Sequence, residues 1–193
     1  LEAIQQYIKK RKWGMVIRLE IEHGMDPDLL EILIDELEAP RETVYEIKGP
    51  LDLTFLMKIH SLPEFDHLKY PVHRQQPVPE FWGRDDIFEA ISEKDILIHH
   101  PYHSFEPVIE FVRQAANDPK VLAIKQTLYR VSGNSPIVEA LAQAAENGKQ
   151  VTVLVELKAR FDEQNNIIWA KRLEMAGCHV IYGLVGLKTH CKI

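Results

Sequence analysis

The side chains best suited to chemistry fall after predicted strands in the second half of the chain. Arg130 follows the apolar run Val121–Tyr129, and Lys158 and Arg160 follow Val151–Leu157. A glycine-containing turn, Gly183 to Gly186, follows His179–Tyr182 and leads to Lys188 and His190. Ligands of an open parallel sheet bind beyond the carboxyl ends of its strands, so these groups share one edge. Arginine offers a planar fork of donors that matches phosphate oxygens. Histidine is a nucleophile when its neighbours set its protonation. Together they point to phosphoryl transfer through a phosphohistidine. The structural alternatives stay open: Arg130 and Arg160 could pair with surface acids such as Asp162, and His190 could serve as a hydrogen-bonding residue of the fold.

Other groups are less telling. His99, His100 and His103 lie close together, but Pro101 interrupts them and their spacing matches no zinc template, which favours a structural or substrate-edge role. Ser132-Gly133-Asn134-Ser135 could form an anion nest ahead of a helix, or an ordinary loop with an N-cap. Cys191 adjoins His190, but neighbouring strand residues point to opposite faces, whereas Lys192 shares the histidine's side. Neither a Walker-type GxxxxGK[ST] nor a kinase Gly-rich loop is present.

The elements that must hold these groups alternate. Strands are expected at Ile96–His99, Val121–Tyr129, Val151–Leu157 and His179–Tyr182, with another starting at Thr189. Helices are expected over Phe105–Ala116, Ile137–Asn147 and Glu163–Ala176, the last two stopped by Gly148 and Gly177. Such alternation implies an α/β fold, with a mainly parallel sheet flanked by helices in the C-terminal half. The N-terminal part reads as a smaller α/β region. It has a helix over 1–12, a strand over Met15–Ile21 and a helix opened by Asp26-Pro27 that stops near Pro40. A strand over Thr43–Ile47 and a short helix over Leu51–Ile59 follow. Residues 61–84 are punctuated by Pro63, Pro71, Pro77, Pro79 and Gly83 and read as a linker. The expected division is therefore 1–84 and 85–193.

Composition sets wider bounds. Apolar residues make up 46 % and charged residues 27 % of the 193 residues, as in globular rather than disordered proteins. A net charge of −6 argues against a general nucleic-acid footprint. Residues 1–94 hold 12 Lys and Arg against 19 Asp and Glu, and residues 95–193 hold 11 against 10, so the second half is the better host for an anion. Cys178 and Cys191 form no disulfide framework, which suits a reducing compartment. No apolar run approaches the ~20 residues that span a bilayer. The chain starts without Met and ends at Ile193 as a strand would begin, so it reads as an internal segment of a longer protein.

Four stretches carry a resemblance to a known family: DILIHHPYHSF (Asp95–Phe105), VLAIKQTLYR (Val121–Arg130), VELKARFDE (Val155–Glu163) and GLKTHCK (Gly186–Lys192). Their order and spacing resemble the long-chain polyphosphate kinases, whose catalytic domains are similar to the phospholipase D fold. That resemblance assigns residues 1–84 to part of the middle, or head, domain with its linker, and 85–193 to the start of the first catalytic domain. It implies that His190 and Lys192 form an H-x-K pair, with His190 autophosphorylated and Lys192 on a phosphate oxygen. It places Arg130 and Arg160 at the magnesium and phosphate site. A guanidinium carries only donors, so both arginines would grip phosphate oxygens while Mg²⁺ bridges the same phosphates.

The resemblance implies ATP, ADP and inorganic polyphosphate as partners, no nucleic acid, a cytoplasmic location and a homo-oligomer, and leaves peripheral membrane association open. The segment alone is expected to be inactive. Two other readings remain. One is a phospholipase D-like phosphodiesterase with the same nucleophile, and the other is a non-enzymatic α/β binding module.

Overall fold

The computed structural model describes residues 1–11, 13–131, 134–159, 161–183 and 186–193. The fold is α/β, with two parallel sheets. The chain forms two compact units, one of Lys9–Val72 and one of Leu1–Ile8 with His73–Ile193. The first helix, α1, runs over Glu2–Arg11.

In the smaller unit, β1 (Leu19–Glu22) pairs in parallel with β2 (Val44–Ile47), with Leu19 opposite Val44. The crossover is α2 (Pro27–Leu37), and α3 (Phe55–His60) follows. Asp26 caps α2 as its sequence suggests: the carboxylate accepts from Asp28 N at 2.9 Å and Leu29 N at 3.2 Å. Removing that acceptor in Asp26→Ala is expected to cost about 1 kcal/mol, read as a lower urea midpoint with an unchanged m-value. Two expectations need correction here. The first strand starts at Leu19 rather than Met15, because ladder partners exist only opposite Val44–Ile47, and Met15 and Ile17 are exposed. The short helix starts at Phe55 rather than Leu51, after a turn in which Asp52 accepts from Thr54 N at 2.8 Å.

The larger unit carries the candidate chemistry. Its helices are α4 (Ile87–Glu93), α5 (Glu106–Asn117), α6 (Pro136–Glu146) and α7 (Glu163–Met175). Its strands are β3 (Ala123–Leu128), β4 (Gln150–Val155) and β5 (His179–Ile181), all parallel and in the order β3-β4-β5. Val151, Val153 and Val155 of β4 are buried against the helices, while Thr152, Leu154 and Glu156 alternate with them and are half-buried. Helix α6 packs on α5, α7 and β4. It places Ile137, Val138, Leu141 and Ala144 in the core, the spacing of one helical face. Leu1, Ile4 and Ile8 pack against the same core.

Glycine ends both crossover helices as expected. Gly148 and Gly177 sit at φ 83° and 93°, where a Cβ is penalised. The following residues close the wrap, with Lys149 N to Ala144 O and Cys178 N to Leu173 O both at 3.0 Å.

Two predicted strands do not form. Ile96 and Ile98 keep the half-buried alternation, but the backbone at His99 is satisfied locally: its N–H meets His103 Nδ1 at 3.1 Å and its carbonyl accepts from His103 N at 2.7 Å. Residues 186–193 hold no strand either, and meet the outer edge of β3 through one described bond, Thr127 N to Ile193 O at 2.7 Å. Helix α4 was not expected, although Asp86 accepts from Glu89 N at 3.1 Å in the D-x-x-E spacing of a capping box.

Candidate active site

The carboxyl ends of β3 and β4 bring together groups that are far apart in sequence. Tyr129, one residue past β3, is half-buried and sits at the centre. The ring of His190 meets it edge-on, with centroids 5.3 Å apart and planes at 79°. The ammonium of Lys192 lies 4.2 Å from the Tyr129 centroid, and that of Lys188 lies 5.5 Å away. His190 and Lys192 therefore share one aromatic ring, although their segment is not a strand. Lys192 also donates to the carbonyl oxygen of His190.

Arg130 follows directly. Its Nε meets Asp162 Oδ2 at 3.0 Å, with 57 % and 28 % of the two side chains exposed. An ion pair this exposed contributes about 1 kcal/mol or less, which a phosphate can readily replace. Arg130 and Lys192 line one open cavity of about 740 Å³, together with Tyr129, Thr127 and Ser135. Ser135 is the N-cap residue of α6 and is buried. Arg160, Ser132 and Gly133 lie outside the described residues.

Three groups missed by sequence reasoning organise this edge. Asn166 is 1 % exposed on α7, and its Nδ2 donates to Tyr129 O and Glu156 O, each at 2.8 Å. Glu156 accepts from Lys158 N at 3.0 Å and Thr189 N at 2.8 Å. Tyr129 closes the set. A carboxylate ending an otherwise apolar strand was the visible signal for Glu156. Nothing local marks Asn166, because its partners are 37 and 10 residues away.

The other candidates stand in different settings, one of them on Phe105, which also lines the cavity. The rings of His99 and His100 rest on Tyr102 and Phe105, with centroids 4.8 and 5.3 Å apart. Among the described residues no three His, Cys, Asp or Glu side chains could hold a metal ion. Cys178 is buried, which pushes its thiol up and leaves it protonated, whereas Cys191 is exposed. Tyr182 is also pushed up, by desolvation and then by its hydrogen bond to Glu174. No helix among the described residues is long and apolar enough to cross a membrane.

Comparison with known families decides the kinship. The model of the polyphosphate kinase C-terminal domain 1 matches residues 86–193, and that of the polyphosphate kinase middle domain matches residues 1–59. The chain belongs to the polyphosphate kinase family. A polyphosphate kinase of Halalkalibacterium halodurans is 59 % identical over 196 residues, and one of Streptomyces coelicolor is 54 % identical over 199. These alignments take in 100 % of this chain but only 28 % and 26 % of the two relatives. The crystal structure of polyphosphate kinase from Porphyromonas gingivalis superposes with a TM-score of 0.74 at 31 % identity, over 91 % of this chain and 26 % of that one.

Proposed function

We propose that these residues form part of the phosphoryl-transfer site of a polyphosphate kinase. The reaction is reversible transfer of the ATP γ-phosphoryl group to inorganic polyphosphate through a phosphohistidine on His190. A ring nitrogen of His190 attacks the γ-phosphorus, the bond to the β–γ bridging oxygen breaks, and ADP leaves with that electron pair. A terminal oxygen of polyphosphate then attacks the same phosphorus, the N–P bond breaks, and the chain is longer by one phosphate. Lys192 and Arg130 neutralise the equatorial oxygens, and Arg160 is assigned the same role from the family resemblance.

The observation that carries this reading is the meeting of His190 and Lys192 on Tyr129, beside a cavity lined by Arg130, in a chain of this family. Magnesium is part of the proposal only as a companion of the substrate phosphates. Guanidinium and ammonium groups only donate, so Arg130 and Lys192 would receive phosphate oxygens while Mg²⁺ bridges the same phosphates.

The test uses a full-length polyphosphate kinase carrying these residues, incubated with ATP. ADP together with an acid-labile phosphate polymer is the expected product pair. Cleavage of phosphodiesters without polymer would favour the phospholipase D-like alternative, and neither activity would favour a binding module.

A further inference from the structure

Glu156 stands at the end of the central strand of the larger unit. Its backbone is held on both sides: its N–H donates to Leu128 O at 3.1 Å, and its carbonyl accepts from Asn166 Nδ2 at 2.8 Å. The same Nδ2 donates to Tyr129 O at 2.8 Å, so one buried amide fixes the ends of β3 and β4 together. The carboxylate then reaches outward with both oxygens engaged. Oε1 accepts the N–H of Lys158 at 3.0 Å, a contact two residues away. Oε2 accepts the N–H of Thr189 at 2.8 Å, across 33 residues. Thr189 directly precedes His190. Residues 186–193 hold no strand, so few ladder bonds support the segment that carries the imidazole.

We propose that Glu156 is a positioning residue for His190, holding the Thr189–His190 backbone at the ends of β3 and β4 so that the imidazole packs on Tyr129. This rests on His190 being the phosphoryl acceptor. A carboxylate suits the task because it accepts at two oxygens at once and its charge strengthens both bonds. Glutamine keeps one acceptor and turns an NH₂ donor toward the second N–H. Alanine keeps neither. Releasing the segment lets the imidazole wander from the attack geometry, where small displacements are costly in rate.

The experiment uses full-length polyphosphate kinase carrying this segment, as wild type, Glu156→Gln and Glu156→Ala. Incubation with γ-labelled ATP follows the rate of acid-labile, base-stable label on His190, per folded molecule by circular dichroism. The expected result is a loss of about 10- to 100-fold for Glu156→Ala, a smaller loss for Glu156→Gln, and a KM for ATP that changes little. A folded Glu156→Ala that labels at the wild-type rate overturns the proposal. So does a loss that only tracks the folded fraction, the behaviour of a purely structural residue. If Glu156→Ala does not fold, Glu156→Gln decides by the same criterion. Wild-type enzyme that takes no label on His190 removes the phosphohistidine reading itself, an outcome separate from the other two.

Discussion

Replacing His190 by alanine or glutamine in full-length polyphosphate kinase carrying this segment is expected to abolish both phosphoenzyme and polymer. The imidazole is exposed, and its described ring contact is the T-shaped one with Tyr129. Little packing is lost on truncation, so the variant should stay folded. A histidine with a structural role would behave differently. Its loss would cost about 1–3 kcal/mol of stability, and the folded fraction would keep its activity. Nucleophile removal instead leaves no route through the covalent intermediate, whatever the folded fraction. The measurement is acid-labile, base-stable label from γ-labelled ATP, alongside circular dichroism. A well-folded His190 variant labelled at the wild-type level would remove this residue as the acceptor.

Lys192→Met is expected to lower kcat by about 10²–10³-fold while changing the KM for ATP less. Methionine preserves much of the aliphatic stem and deletes the charge. The ammonium stands 4.2 Å from the Tyr129 centroid on the wall of the same cavity as Arg130. Two effects of the substitution can be separated by size. Loss of an exposed cation–π contact costs about 0.5–1 kcal/mol and acts on local order. Loss of a charge aimed at the transferring phosphoryl group costs about 2.7–4 kcal/mol, as for other donors that stabilise a developing anion. A rate loss below tenfold would show that Lys192 serves mainly to hold Tyr129. The check is steady-state kinetics at saturating ATP with pre-steady-state labelling of His190.

Much of the framework was legible because its signals are local. Asp26-Pro27 opened a helix, Gly148 and Gly177 closed two others, and the near-continuous apolar run after Gln150 marked a central parallel strand. Pairing is not local, and alternation alone does not supply it. Met15 and Ile17 alternate as a strand should but face no ladder partner. Ile96–His99 alternates too, yet its backbone turns back on His103. The Asp86-x-x-Glu89 pattern is a local signal for the start of α4.

The site divides the same way. His190, Lys192 and Arg130 could be named from residue type and position after predicted strands. Glu156 carried a visible signal, a carboxylate in an otherwise apolar run, but the roles of Tyr129, Glu156 and Asn166 depend on partners brought near only by the folded sheet. The expected meeting of Arg130 with Arg160 involves a residue outside those described.

The bond from Thr127 N to Ile193 O has a geometric meaning beyond one contact. From β3 to β5 the chain advances across the sheet in one direction. The segment after β5 does not continue outward. It returns across the end of the inner strand β4, where Thr189 N meets Glu156, to the far edge of β3. Progress across the sheet therefore reverses at that edge, with connections departing on one side toward β4 and arriving on the other from β5. Loops that leave in opposite senses cannot close over the strand ends between them, so a reversal opens a crevice there. The cavity bounded by Tyr129, Arg130, Lys192 and Ile193 lies at this reversal. Its place follows from chain path rather than from any one side chain. Substitutions in its wall should change what it holds more readily than whether it exists.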